Sequence, residues 1–427
     1  MAIKNLTNLW LSPNQYYRGQ LRKAAGYSIC AVEFDDQGEL WDPEQLESTL
    51  SHIRDACTAG AEEGSGPSSK TEVIVITFIH GWMHNGTPQD LNLEHFSDLI
   101  QRRAAAEKQF AERAGRKPRS IIGVYFAWRG LLWKLPVLKY LTFWSRKTAA
   151  LRVGQLSCTE AVLRISGAVK SRNNRSQCIF IGHSFGGLIL ENAICKALLG
   201  AIFRTDLPDE VSYCPSDLVV LINPACEAAG AKQFIDILER NKVVVRMGSD
   251  TAKNDLPFPM LISITSAGDL ATKWAFPLGQ FWVTLLKSFR RYPDTGQGLP
   301  SQWYLHNHTA GHIPRLQNFE VRQVLDRAID ENRLEFSFED TSRTSKRKFQ
   351  IVPRSNRCLA FWLMTVPKEI VPNHSDVFTP GFENMLSSLL QWVNTAVEPT
   401  NVRCDGREYN VLKMKLKEKL ERPSRST

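Results

Sequence analysis

Residues 178–194 read C-I-F-I-G-H-S-F-G-G-L-I-L-E-N-A-I, and this stretch decides the fold. A short apolar run comes first, the pentapeptide G-H-S-F-G follows, and apolar residues at helical spacing complete the stretch. This order predicts a buried strand, a sharp turn and a helix. Ser184 at the centre of the turn would present its hydroxyl beside a helix N-terminus, where backbone N–H groups can stabilise an oxyanion.

Other apolar runs, rich in β-branched residues, predict further strands at 73–79, 121–127, 218–222, 260–265 and 359–366. Segments with helical spacing lie between or after them, at 91–113, 148–169, 187–199 and 382–393. Near-continuous apolar strands suit a parallel sheet that is covered on both faces. We therefore expect an α/β protein with a doubly wound, mostly parallel sheet and helices on both faces.

The same pattern predicts the domain organisation. Residues 1–70 form an N-terminal extension, in which residues 27–40 add edge strands, and residues 401–427 form a basic C-terminal tail. Residues 71–400 form the main domain, with insertions at about 130–147 and 271–357 that we expect to act as lids or caps. The first insertion mixes Leu, Trp and Lys, which suits either a lid that touches a membrane surface or a helix of the core.

Composition and charge indicate which partners and which cellular location to expect. The formal net charge is +9 over 427 residues, which allows peripheral contact with an anionic membrane, and we expect no nucleic-acid partner. Nine cysteines without a C-x-x-C pair indicate reduced thiols rather than a disulfide framework. The start of the chain lacks a signal-like apolar segment, so we expect a cytoplasmic protein. The oligomeric state is left open.

The G-H-S-F-G pentapeptide and the sequence His80-Gly81-Trp82, which follows the strand V-I-V-I-T-F-I, resemble the α/β-hydrolase superfamily of lipases and esterases. The resemblance extends from about residue 73 to residue 393. It implies that Ser184 is the nucleophile and that the backbone N–H groups of Trp82 and Phe185 form the oxyanion hole. We expect His80 itself to be a structural hydrogen-bonding residue.

The resemblance also implies the chain order serine, acid, histidine. Asp269 ends the run M-L-I-S-I-T-S-A-G-D just past a predicted strand, and it is the first candidate for the acid. Glu227, which follows another strand, is the alternative. His374 in V-P-N-H-S-D-V-F follows the last strand and is the expected base.

Residues near the predicted strand ends suggest a substrate pocket. We expect Met83, Trp128 and Arg129 to bind substrate, and Arg129 either holds a substrate anion or makes a structural ion pair. A second cluster has the spacing H-x-H-x-x-x-H and consists of His306, His308 and His312. It fits either a metal site or a polar loop beside the pocket, and we expect no metal and no cofactor.

The sequence thus predicts a serine hydrolase that cleaves carboxylic esters through an acyl-enzyme, with a small-molecule or lipid ester as substrate. The alternative is a catalytically weak hydrolase-like module that binds a ligand, a partner or a lipid surface. A lipase delivered as a toxin or effector is a third hypothesis, with less in the sequence to favour it.

Overall fold

The computed structural model divides the chain into two units. The structure describes residues 22–24, 26–58, 71–131, 142–170, 176–203, 216–240, 243–244, 259–289, 300–324, 334–339, 346–354, 360–394, 403–404, 407–408 and 410–411. The first unit comprises Met1–Ile194, Val220–Cys226 and Ala271–Ser288, and the second comprises Cys195–Val219, Glu227–Leu270 and Phe289–Thr427.

The strands, in chain order, are β1 (Arg22–Ala24), β2 (Tyr27–Glu33), β3 (Val73–Ile79), β4 (Ser120–Ala127), β5 (Gln177–His183), β6 (Leu218–Ile222), β7 (Val243–Val244), β8 (Leu261–Ser266), β9 (Phe319–Val324), β10 (Leu334–Glu339), β11 (Lys346–Pro353), β12 (Phe361–Val366), β13 (Arg403–Cys404), β14 (Arg407–Glu408) and β15 (Asn410–Val411).

The helices are α1 (Pro43–Thr58), α2 (Leu91–Arg113), α3 (Phe143–Val153), α4 (Leu156–Lys170), α5 (Phe185–Phe203), α6 (Ala228–Arg240), α7 (Phe276–Thr284), α8 (Gln302–Asn307) and α9 (Pro380–Asn394). A π-helical turn, Ala271–Ala275, precedes α7, and a 3₁₀ turn, Ala310–His312, follows α8. Strands alternate with helices, which confirms the predicted α/β class.

The first unit carries the strand order β1-β2-β4-β3-β5-β6, with the end of β6 belonging to this unit. β1 pairs with β2 antiparallel, whereas the β2–β4, β3–β4 and β3–β5 pairs are parallel. Every residue of β3 and β5 is buried, which explains why these strands read as continuous apolar runs. Because the strands are parallel, the loops after β3 and β5 leave the same edge of the sheet.

The second unit carries the strand order β8-β12-β9-β11-β10. β12 pairs in parallel with both β8 and β9, and the β9–β11 and β11–β10 pairs are antiparallel. Phe319 and Trp362 stack in its interior with ring centroids 4.1 Å apart. The main strand pairings of the chain are therefore mixed but mostly parallel, as predicted.

One predicted helix was wrong, and one predicted insertion contains more structure than expected. The single helix expected over 148–169 is two helices, α3 and α4, which meet at Gly154. A Cβ on Gly154 would lie 2.8 Å from the carbonyl oxygen of Ile189, so the chain bends where it packs on α5. The stretch 271–357, expected to be an inserted cap, also contributes β9, β10 and β11 to the sheet of the second unit.

Some predictions lie outside the described residues, namely those on 1–21, on 132–141 of the first insertion and on most of the tail after 401. Within the described residues, the structure contains no helix with the length and apolar character that a membrane crossing requires.

Candidate active site

Ser184 occupies a strained turn between β5 and α5. Its φ angle is 56°, a left-handed conformation that costs a residue with a side chain roughly 1–3 kcal/mol. Hydrogen bonds hold it there, because its N–H donates to the Ile222 oxygen at 3.0 Å and its carbonyl accepts from Leu188 N at 3.2 Å and Ala225 N at 3.1 Å. The turn is therefore fixed by β6 and the chain that follows it.

The two glycines of the pentapeptide are required by close backbone packing. A Cβ on Gly182 would lie 2.6 Å from the carbonyl oxygen of Gly186. A Cβ on Gly186 would collide with the carbonyl oxygen of Ile79 and lie 2.6 Å from that of His80. The pattern G-x-S-x-G therefore has a local physical cause: α5 begins directly against the end of β3.

The loop after β3 lies against the serine. A Cβ on Gly81 would be 2.8 Å from the Ser184 Cβ, so only a glycine permits this approach. The Trp82 ring lies 6.2 Å from the ring of Phe185, and its Nε1 donates to Thr142 Oγ1 at 3.2 Å. Phe185 and Gly81, the residue before Trp82, thus lie beside Ser184. The helix start at Phe185 leaves N–H groups without acceptors inside the helix.

His80 is a buried, uncharged support for this loop. Its Nδ1 donates to the Gly81 carbonyl at 2.9 Å, and its Nε2 accepts from the backbone N–H of Trp128 at 3.1 Å. Burial lowers the pKa of His80 to about 4. The imidazole also stacks on Trp128 with centroids 5.8 Å apart. These contacts fit a structural residue better than a catalytic base.

Asp269 and His374 form a hydrogen-bonded pair in the second unit. His374 Nδ1 lies 3.0 Å from both carboxylate oxygens of Asp269. The Asp269 side chain is completely buried, whereas the imidazole is 21% exposed. Because a carboxylate only accepts, Nδ1 of His374 carries the proton of this hydrogen bond. The pair is the arrangement expected of a general base with an orienting acid.

The backbone explains why these two side chains meet. Ser266 and Val366 are register partners at the ends of the parallel strands β8 and β12, so the loops after them leave the same edge. Ser266 Oγ donates to the Val371 carbonyl at 2.5 Å and accepts from Gly268 N at 2.9 Å. A Cβ on Gly268 would collide with the carbonyl oxygen of Pro372, which shows how closely the loops approach.

Asn373 shapes the turn that carries His374. Its side-chain oxygen accepts from the backbone N–H groups of Ser375 and Asp376, at 2.9 and 3.0 Å. Sequence reasoning missed this residue and Ser266, although an Asn two residues before a polar turn is a recognisable signal for an Asx turn. The alternative acid, Glu227, directly precedes α6, whereas Asp269 is the carboxylate that His374 contacts.

The predicted substrate-binding residues occupy different environments. Met83 has a φ angle of 68° and donates its N–H to the Gly130 oxygen at 3.2 Å. Trp128 is buried, and its Nε1 donates to the His80 carbonyl at 3.0 Å. Arg129 is half-buried, and its buried Nε has no hydrogen-bond partner among the residues that the structure describes. Trp128 therefore supports the loop, and the role of Arg129 in substrate binding stays a prediction.

The three histidines of the H-x-H-x-x-x-H pattern lie on α8, at its end and on the following 3₁₀ turn, and the contacts given for His306 and His308 are to different residues. His308 Nδ1 donates to the Tyr304 carbonyl at 3.0 Å, and its ring stacks on Tyr304. His306 packs against Phe289 with centroids 5.1 Å apart. Over the residues that the structure describes, no group of three or more His, Cys, Asp or Glu side chains is arranged to hold a metal ion.

The first unit thus brings Ser184 together with Gly81 and with Trp82 and Phe185, the two residues predicted to form an oxyanion hole, and the second unit brings Asp269 together with His374. No protein-family model matches the chain, and no curated protein shows significant sequence similarity to it.

Proposed function

We propose that this protein is a serine hydrolase of the α/β-hydrolase type that cleaves carboxylic esters, with Ser184 as nucleophile. The observation that carries the proposal is the strained strand-to-helix turn, in which Ser184 has a φ of 56° between two close-packed glycines. Strain of this kind persists only where the surrounding structure imposes it, and it is concentrated at functional sites.

The base in this proposal is His374, with Asp269 as its orienting acid. The Nδ1–H of His374 is held by the buried Asp269 carboxylate. In this proposal the other ring nitrogen, Nε2, accepts the Ser184 proton. The carboxylate then stabilises the imidazolium that results. A serine hydroxyl needs this help because it is a weak nucleophile at neutral pH.

The reaction follows from these roles. Ser184 Oγ attacks the acyl carbon while His374 takes its proton, and the N–H groups of Trp82 and Phe185 donate to the oxyanion. His374 then gives the proton to the leaving alcohol, and an acyl-serine remains. Water, deprotonated by the same imidazole, attacks the acyl carbon. The bond to Ser184 Oγ then breaks, the carboxylic acid leaves, and the imidazolium returns its proton to Ser184 Oγ. Atoms and protons balance without a cofactor.

The aromatic surroundings of Ser184 favour an apolar acyl group. The Phe143 ring lies 5.3 Å from the Phe185 ring and 5.6 Å from the Trp82 ring. The three aromatic side chains therefore form a cluster that includes both residues proposed for the oxyanion hole. Apolar pockets with a few placed polar donors are typical of small-molecule sites. We therefore propose esters with aliphatic acyl chains as substrates, and a lid role for the first insertion remains part of this proposal.

Hydrolysis of p-nitrophenyl esters of increasing acyl length tests the proposal. The substitutions Ser184→Ala and His374→Gln should each lower kcat/KM by about 10⁴-fold or more, because the triad acts as one unit. Asp269→Asn should lower it by about 10⁴-fold through the wrong imidazole tautomer. Circular dichroism should show that all three variants keep the fold.

Two surface substitutions serve as matched controls. Ser51→Ala and His95→Gln remove the same functional groups at exposed positions on α1 and α2, and they should leave kcat/KM unchanged. A wild-type protein that binds these esters without hydrolysing any of them would favour the alternative function, a catalytically weak binding module.

A further inference from the structure

The helix α7 has an inverted distribution of polarity. Its buried side is Phe276, Gln280 and Thr284, at a spacing of four residues, so two of the three inward positions are polar. Large apolar residues at helical spacing are exposed on its outward side, on the π-helical turn before it and just after its end: Trp274, Leu278, Phe281, Trp282, Leu285 and Leu286. We call these six residues the α7 apolar face. Leu278, Trp282 and Leu286 are 72, 69 and 94% exposed.

This face is not an ordinary scatter of surface apolar residues. Single exposed leucines need no explanation, but a contiguous group of this size marks an interaction surface. An amphipathic helix normally turns its polar side to water. The reverse orientation in α7 costs free energy in water unless something covers the face.

The charges within the segment that carries the face are of one sign. Residues 271–289 contain no Asp or Glu, and the exposed lysines Lys273 and Lys287 lie at either end of the apolar stretch. Two tryptophans on the face add rings of the kind that is enriched at the boundary between lipid headgroups and acyl chains. Contact with a second copy of the chain through this face would bring like charges together.

We propose that the α7 apolar face docks onto an anionic lipid surface. The apolar side chains enter the acyl boundary, the indole N–H groups stay at headgroup depth, and Lys273 and Lys287 contact lipid phosphates. The chain's net charge of +9 has the sign that this contact requires.

Packing connects the face to the residues around Ser184 within the same unit. A Cβ on Gly279 of α7 would be 2.8 Å from the Phe143 ring, and that ring in turn contacts Phe185. Trp144 Nε1 donates to the Gly279 carbonyl at 3.0 Å. Docking would therefore hold the surroundings of Ser184 close to lipid, although the docking itself does not depend on the proposed ester hydrolysis.

Vesicle flotation with the full-length protein tests the docking. Wild type should float with phosphatidylcholine vesicles that contain phosphatidylserine and bind pure phosphatidylcholine more weakly. The double substitution Trp274→Ser with Trp282→Ser should lower the partition coefficient by about tenfold or more. Lys273→Gln with Lys287→Gln should lower it by about tenfold on the anionic vesicles and have little effect on the neutral ones.

The control pair is Leu156→Ser with Leu163→Ser, which removes exposed apolar side chains from α4 and should leave flotation unchanged. Ser184→Ala should float like wild type, which separates docking from catalysis. Wild type that floats with neither vesicle would overturn the proposal. So would tryptophan variants that float as wild type does, or a dimer that forms without lipid and disappears in those variants.

Discussion

Gly186 is the residue where the demand for a small side chain is strictest, because the carbonyl oxygens of Ile79 and His80 fill the space of its missing Cβ. The turn at Ser184 depends on this approach, since α5 begins where β3 ends. Sequence alone predicted a glycine-flanked serine between a strand and a helix. It could not show that the glycines exist for backbone contact with a strand about a hundred residues earlier.

The substitution Gly186→Ala tests this packing. We expect it to destabilise the protein by more than about 3 kcal/mol, because the added methyl group forces backbone to move. Gly167→Ala is the matched control, since nothing lies within 4 Å of the position of its Cβ on α4. That change should stabilise by about 0.5–1 kcal/mol. Urea denaturation measures both, and equal effects at the two sites would contradict the packing argument.

His80 makes stability depend on pH in a known direction. Its pKa of about 4 in the folded protein lies below the ordinary imidazole value of about 6.5. Between these values the unfolded chain binds a proton that the folded protein does not, so the free energy of unfolding decreases as pH falls through this window. Across the whole window, the loss in the free energy of unfolding that is due to His80 is about 3 kcal/mol.

Denaturation of wild type and His80→Gln at about pH 7.5 and about pH 5 isolates this effect, because other groups titrate equally in both proteins. We expect the variant to be the less stable protein at the higher pH and the stability gap to narrow at the lower pH. A gap that stays constant or widens would show that His80 is not a buried neutral imidazole.

At the residue scale, the functional candidates followed from chain order and strand ends. Asp269 and His374 were expected after two separate strands, and in the structure they are hydrogen-bonded to each other. Their roles as acid and base stay predictions. Ser266 and Asn373 hold the loops that carry Asp269 and His374, but the sequence did not single them out. A serine at a strand end and an asparagine in a turn are too common to indicate such a role.

At the scale of elements, a buried ion pair joins α2 to the start of β4. Glu107 on α2 accepts from Arg119 Nε and Nη2, both at 3.0 Å, and from Arg116 Nη1 at 2.8 Å. Although burial raises the pKa of Glu107, these hydrogen bonds lower it to about 2. The carboxylate is therefore charged in the folded protein and depends on its partners.

Arg119→Met should destabilise the protein by about 3–5 kcal/mol, because it leaves a buried carboxylate without its main partner. Arg164→Met is the matched control: Arg164 pairs with Glu47 and Glu160 on the surface, and its loss should cost less than about 1 kcal/mol. Thermal or urea denaturation distinguishes the two. Similar losses would mean that the α2–β4 pair adds nothing beyond a surface contact.

Strand prediction from the sequence depended on how completely each strand is buried. Strands buried along their whole length, such as β3 and β6, appear as apolar runs, and their predicted bounds match the structure. β9 alternates between buried and exposed residues only at its start and then carries Arg and Gln. Because its pattern is neither continuous nor regular, tertiary pairing decides that it is a strand, and sequence reasoning missed it.

At the scale of the whole molecule, the alternation of strands and helices established the α/β class, and the structure confirms that class. The division into two units was not predicted. The units alternate along the chain, since residues 220–226 and 271–288 belong to the first unit although they lie between segments of the second. Local sequence patterns do not show to which unit such a segment belongs. The exposure of the apolar side chains on α7 could not be predicted either, because the sequence of an apolar helix indicates burial until its packing is known.

Covalent labelling with a fluorophosphonate, followed by intact mass and peptide mapping, tests the central claim most directly, because only an activated serine reacts rapidly with this reagent. We predict one adduct, on Ser184, none on Ser184→Ala, and labelling of His374→Gln slowed by about 10³-fold or more. An adduct on another residue, equal rates in wild type and His374→Gln, or a folded wild type that stays unlabelled with and without lipid vesicles would contradict it.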